Sequence, residues 1–219
     1  MIYPNVYVTK SQFDSVIETS DFLDASPQKK ILKRFQKSML NYQLFGSQTN
    51  PFINFVIIRD LRDTLVSLFF SMKVSHVILT SEFANIRNMF QSLGQEEGLV
   101  HVMNKYLIYE AKTQLSWINS GDMILKYEDL IANEHRVFKQ IIKHCQSGIS
   151  HQKLNEIISY NSFKAVTGRE PGQEDISRHQ RKGIAGDWKN YFSDPLKNAF
   201  KKRYGDVLIK TGYEKNLNW

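Results

Sequence analysis

Phe52-Ile53-Asn54-Phe55-Val56-Ile57-Ile58-Arg59-Asp60 is a nearly continuous apolar run that stops at two charged residues. A strand with one wet face alternates apolar and polar residues. A run without alternation fits a strand buried on both faces, as in a parallel sheet. A helical pattern begins near Asp63, so the segment reads as strand, turn and helix, with polar residues at the strand's C-terminal end. Open α/β sheets place ligands at that edge.

Working outward, Met123-Ile124-Leu125 is a second short apolar strand, ending at Tyr127-Glu128-Asp129. Between the two strands, residues 80–98 read as a surface region with a helix and a Gly94–Gly98 connection. Leu99, Met103, Leu107, Ala111, Leu115 and Ile118 then mark one long amphipathic helix. Val137, Phe138, Ile141, Ile142 and Cys145 mark another, with Asn133 as its N-cap. Thr167 to Arg181 is polar and glycine-bearing and reads as a loop. Asp194-Pro195 opens a last helix, with Asp194 as cap, Leu196 and Phe200 facing inward and Gly205 as stop. Towards the N-terminus, Val6-Tyr7-Val8-Thr9 reads as a strand. Ser26-Pro27 starts a helix carrying Ile31, Phe35, Met39 and Tyr42 on one face and ending at Gly46. Strands alternating with helices predict an α/β fold.

The 219 residues are 42% hydrophobic and 23% charged, ordinary values for one globular domain with a sizeable core. The net charge of +7 fits either a basic surface or a site for an anion. Lys29, Lys30, Lys33, Arg34 and Lys37 read as the solvated face of their helix rather than a nucleic-acid patch. The single cysteine, Cys145, excludes an intrachain disulfide and a cysteine metal cluster; on an apolar helical face it reads as a buried thiol. No basic region followed by an apolar run opens the chain, and the apolar runs are too short to span a membrane, so a cytoplasmic protein is expected.

Three segments carry chemistry. Arg59, at a strand end with Ser67 in the following helix, offers a fork of donors suited to phosphate or sulfate oxygens. The alternative is an ion pair with Asp60 or Asp63. Tyr127, at the second strand's end, suits an adenine pocket, or is simply a half-buried sheet-edge tyrosine. Arg181-Lys182-Gly183-Ile184-Ala185-Gly186-Asp187-Trp188-Lys189-Asn190-Tyr191-Phe192 sets two cations before two glycines, where free N–H groups form an anion cradle. The alternative there is a basic surface loop, with Trp188 and Phe192 as core.

In this order, the three segments resemble the PAPS-dependent sulfotransferase family (PAPS is 3′-phosphoadenosine-5′-phosphosulfate). Its signatures are R-x-x-R/K-D-x-x-x-S, Y-E-D-L/M and R-K-G-x-x-G-D-W-K-x-x-F, and the resemblance runs from about Asn5 to Gly205. It implies a P-loop-like parallel sheet flanked by helices, with PAPS as donor and PAP as product and no metal. By position, Arg59 and Ser67 match residues that hold the 3′-phosphate, and Arg181, Lys182 and Gly183 a second grip on it. Tyr127 matches a residue bonding the adenine. Phe163, in Asn161-Ser162-Phe163, matches the phenylalanine of a T-S-F element that packs on the adenine, with Asn161 in the threonine's place. Asp187 and Trp188 are expected to brace the loop.

The family's P-K-S-G-T-T/S-W loop, which wraps the 5′-phosphosulfate, does not occur in the sequence. Lys10-Ser11-Gln12 resembles the K-T/S-H element that follows that loop, which makes Lys10 and Gln12 the candidate catalytic positions. Gln12 stands where the family has a histidine base, and such a base is worth about 10²–10⁴-fold in rate. The chain is therefore expected to be a single sulfotransferase-like domain lacking its N-terminal strand and loop. Three functions stay open: sulfuryl transfer to a hydroxyl or amine of a small-molecule or carbohydrate acceptor, PAP or PAPS binding without transfer, and basic nucleic-acid binding. No nucleic-acid module is visible. The acceptor pocket is expected around residues 73–98 and 167–180. The family's dimer motif, K-x-x-x-T-V-x-x-x-E, is broken at Ser193, Asp194 and Asn198, so that dimer is not expected.

Overall fold

Phe55–Ile58 (β1) and Met123–Lys126 (β2) pair in parallel, with Phe55 opposite Met123 and Ile58 opposite Lys126. This is the parallel pair expected from two apolar runs joined by a helical crossover. The computed structural model describes residues 53–118 and 120–219, and Asn54–Trp219 forms one compact unit. The strand at Val6–Thr9, the helix from Ser26 and the candidates Lys10 and Gln12 lie outside the described residues.

β1 is followed at once by α1 (Leu61–Phe70) and a π-helical turn (Ser71–Ser75). Next come α2 (Ser81–Ser92), α3 (Gln95–Lys105) and α4 (Leu107–Ile118), which complete the crossover to β2. Beyond β2 lie α5 (Tyr127–Ala132), α6 (Glu134–His144), α7 (His151–Asn161) and α8 (Phe163–Thr167). A 3₁₀ turn (Asp187–Asn190) and α9 (Asp194–Lys210) follow. The described residues are mostly helical around a small parallel sheet, an α/β arrangement.

Two clusters hold these elements. Leu61, Leu65, Val66 and Phe69 of α1 pack with Phe90 of α2, Leu99, Val102 and Met103 of α3, Leu107 and Ala111 of α4, and Leu196, Phe200, Tyr204 and Leu208 of α9. Each fully buried Leu, Val, Phe or Met among them contributes about 1.5–3 kcal/mol. α1, the helix that carries the first motif, is thus the central element of the core. Leu125, Leu130, Val137 and Ile141 form the second cluster, against which Phe55, Ile57, Met123 and Cys145 pack. Cys145 caps α6 and is half-buried there.

Several boundaries differ from expectation. Gly98 is not part of a connection but lies inside α3, where a Cβ would stand 2.3 Å from Cε2 of Phe69; its lack of a side chain lets α1 and α3 approach. The long helix expected over Leu99–Ile118 breaks at Tyr106, where Tyr109 N–H turns to the Tyr106 carbonyl at 3.2 Å. Both halves face the same core, so the apolar period runs through the break unchanged. Ser193, not Asp194, caps α9, its Oγ accepting from the Leu196 N–H at 3.3 Å. Gly205 does not stop that helix. It packs under Leu217, whose Cδ2 lies 2.3 Å from where a Cβ would be. Asn133 caps α6 as expected, accepting from Arg136 N–H at 2.9 Å.

Candidate functional site

The site grows from the junction of β1 and α1. Asp60 caps α1, accepting from the Arg62 N–H at 2.9 Å, and the Arg62 side chain returns to the same carboxylate with Nη2 to Oδ2 at 2.6 Å. Arg62 also bonds Glu214 at 2.6 Å, and its guanidinium lies against the rings of both Trp188 (4.2 Å) and Trp219 (4.4 Å). Asp63, 1% exposed, accepts from the backbone N–H of Gly186 at 2.6 Å and of Trp188 at 2.8 Å. Burial raises the Asp63 carboxyl above its usual range, opposed by Arg59 and by these two N–H groups.

Both carboxylates beside Arg59 are therefore occupied, and the alternative in which Arg59 pairs with Asp60 or Asp63 is not what the structure holds. The Arg59 carbonyl accepts from Gln114 Nε2 at 2.8 Å, and its guanidinium lies over the Tyr127 ring at 5.0 Å. Its Nε is buried without a hydrogen-bond partner. Tyr127 opens α5, and burial raises its phenol pKa. The next residue, Glu128, ties the two strand ends together. It accepts from Asp60 N–H at 2.9 Å and from Tyr213 Oη at 2.7 Å.

The loop from Arg181 runs along α1. Arg181 lies over the Phe70 ring at 4.6 Å, near the helix's C-terminal end, while Gly186 and Trp188 meet Asp63 near its start. Asp63, Ser67 and Phe70 are spaced four and three residues apart and share one helical face. Ser67 thus lies between the two contacts. Asp187, 2% exposed, braces the loop by accepting from Arg181 Nη2 at 2.5 Å, Lys182 Nζ at 2.7 Å and Asn190 Nδ2 at 2.8 Å. Burial pushes its carboxyl up, but these bonds outweigh burial and hold it below the ordinary range. Arg181 also bonds Glu174 and, at 2.9 Å, Tyr191 Oη. Trp188 and Phe192 stack edge-on at 5.3 Å against the first cluster, so they serve the core as well as the loop.

Gly183 has φ +67°, and a Cβ there would stand 2.5 Å from Cδ2 of Phe163. The loop backbone and the Phe163 ring therefore touch. Asn161 does not join them: it is exposed, and its Nδ2 donates to the Ile157 carbonyl at 2.7 Å within α7. The structure thus groups Arg59 with Tyr127, sets Ser67 on the face along which Arg181 to Gly186 runs, and joins Gly183 to Phe163. Sequence reasoning weighed Asp63 only as a partner of Arg59 and missed its hold on the Arg181 loop; it missed Gln114 and Arg169 altogether, since they act on backbone carbonyls, which leave no signal. Among the described residues no group of three His, Cys, Asp or Glu side chains is placed to hold a metal ion.

Residues 15–212 match the family described as the sulfotransferase domain. The chain belongs to the sulfotransferase family. The 3-alpha-hydroxysteroid sulfotransferase of Cavia porcellus is 26% identical over 114 residues, which are 46% of this chain and 39% of that protein. Sulfotransferase 1B1 of Canis lupus familiaris is 32% identical over 98 residues, 40% of this chain and 31% of that protein. Among solved structures, mouse sulfotransferase SULT7A1 complexed with PAP matches with a TM-score of 0.51 at 17% identity, covering 70% of this chain and 57% of that one. The sulfotransferase fold is thereby shown. The matched segments span well under two thirds of these relatives' lengths. Among the described residues no helix is long and apolar enough to cross a membrane.

Proposed function

We propose that this sulfotransferase-family chain binds PAPS as sulfuryl donor and PAP as product. In this reading Arg59, Ser67, Arg181, Lys182 and Gly183 hold the 3′-phosphate, and Tyr127 and Phe163 flank the adenine. In this reading the protein moves the sulfuryl group to a hydroxyl or amine of a small-molecule acceptor.

The observation that carries this reading is the course of the Arg181–Trp188 loop along the α1 face that bears Ser67, fastened at Asp63 one turn from Arg59. Two cationic segments distant in sequence are thereby brought to one helix. Arg59 keeps a buried, unpartnered Nε although Asp60 and Asp63 follow it closely in sequence. A doubly charged phosphate is the kind of partner such a fork accepts. Gly183 leaves no room for a side chain beside Phe163, which suits close approach of backbone N–H groups to an anion. In sulfuryl transfer these cations act by position: they fix the nucleotide at its 3′-phosphate, away from the 5′-phosphate that leaves, and so orient the donor.

Isothermal titration of the 219-residue chain with PAP tests the reading, beside an Arg181→Ala, Lys182→Ala double variant. Saturable binding that the variant loses is expected. No binding by folded chain overturns it. Gln12, at the position of the family's histidine base, favours a second reading in which the nucleotide binds but no sulfate moves. Binding of PAP with no turnover of PAPS against an acceptor panel is its signature.

A further inference from the structure

Arg169 lies outside the three motifs, in the segment that joins α8 to the Arg181 loop, yet its side chain bonds three backbone carbonyls there. α8 ends at Gly168 in the left-handed conformation, φ +71°, which turns the chain back on itself. The Arg169 guanidinium then donates to three carbonyls of the following loop. Nη1 reaches Gln173 O at 2.7 Å and Arg181 O at 2.8 Å, and Nη2 reaches Gln180 O at 2.5 Å. The same guanidinium lies 5.2 Å from the centre of the Phe163 ring. Two backbone bonds close the loop around it: Gly172 N–H to Lys182 O at 2.8 Å and Asp175 N–H to Arg181 O at 2.9 Å.

We infer that Arg169 is a positioning residue of the nucleotide site, setting the Arg181–Lys182 backbone and the Phe163 ring against each other. The inference rests on the nucleotide-binding reading above. The Arg181 and Lys182 main chain is held by carbonyl bonds from Arg169, Gly172 and Asp175, while Gly183 lies directly against Phe163. The planar fork donates to the three carbonyls from two separate nitrogens and offers a flat face to the ring, whereas an ammonium presents its three N–H groups from one point. The carbonyls carry only partial charge, so the role is geometric, and charge alone does not replace it.

The test uses the full chain with Arg169→Lys and Arg169→Ala, read by PAP titration and by amide hydrogen exchange. Arg169→Lys, although it keeps the charge, is expected to weaken PAP binding about tenfold, as Arg169→Ala does. Exchange at Gly172 and Asp175 speeds up in both, while the core amides of Tyr204 and Leu208 keep their protection. PAP affinity in Arg169→Lys equal to that of the unaltered chain, or unchanged exchange at Gly172 and Asp175, overturns the inference. Equal loss of protection in loop and core overturns it also, since Arg169 is then a fold residue only. If the unaltered chain itself binds no PAP, the nucleotide reading falls and takes the site role of Arg169 with it. Faster exchange at Gly172 and Asp175 alone then shows a loop-ordering residue.

Discussion

Under the proposed reading, Arg181 is a cation held in place before an anion arrives. Three groups engage its guanidinium: Asp187, Glu174 and the Tyr191 hydroxyl. They differ in exposure. Asp187 is 2% exposed and bonds Lys182 and Asn190 as well, so it is part of the loop's frame. Glu174 comes from the polar loop and its side chain is 32% exposed. Its carboxylate is the more exposed of the two partners, and an ion pair with one solvent-facing end contributes about 1 kcal/mol, little enough for the phosphate of the proposed ligand to displace. Glu174 then acts as a competing anion. Glu174→Gln is expected to tighten PAP binding by about two- to fivefold, the factor that ~1 kcal/mol represents. Titration at fixed salt checks it, and a weaker binder would show that Glu174 holds Arg181 in a productive place instead.

At the scale of elements, α1 and the Arg181 loop are joined by contacts that need specific backbone shapes. Gly183 has φ +67° and lies against Phe163. An alanine there meets a left-handed strain of about 1–2 kcal/mol and a ring that must move out of its place. Gly183→Ala is expected to lower PAP affinity by tenfold or more while shifting Tm by only a few degrees, measured by titration and thermal melting. A melting shift without loss of affinity would place the ring outside the site. The same elements show what the sequence lets one read. β1 and β2 were legible because an apolar run of strand length between turn residues has few other uses, and the order of the three motifs gave α1 and the loop. The break at Tyr106 was not legible, because the apolar period continues through it. Gly205 read as a helix stop because glycine most often serves there, whereas its reason is the close approach of Leu217. Arg59 and its two aspartates were all visible, but which partner each takes depends on Arg62, Gly186 and Trp188, settled only when the loop folds back onto α1.

At the scale of the whole described unit, the charged groups of the site form a connected set, so proton uptake by one carboxylate has a distant effect. Residues 213–219 close over the β1–α1 junction: Tyr213 Oη donates to Glu128, Glu214 pairs with Arg62, and Trp219 covers the Arg62 guanidinium. Asp63 and Asp187 anchor the Arg181 loop to this frame, and acid acts on them in opposite senses. The Asp63 carboxyl has a folded pKa above its unfolded value, so falling pH does not withdraw its contribution. Asp187 has a folded pKa below its unfolded value, because bonds from Lys182, Asn190 and Arg181 outweigh burial. Its contribution is present above the unfolded carboxylate pKa and is lost as pH falls towards the folded one, a window that opens below about pH 4. Asp187→Asn keeps the shape and removes the charge, leaving Arg181 and Lys182 without their inner partner. It is expected to cost roughly 3 kcal/mol at pH 7, as breaking a buried pair does. The gap in Tm between the unaltered chain and Asp187→Asn is therefore expected to be constant from pH 7 to about pH 5 and to shrink steadily below about pH 4. Melting curves across that range decide it. A gap that stays constant down to pH 3 would mean that the Asp187 carboxyl is not held below its unfolded pKa, and the fall in stability with acid must then come from other carboxylates.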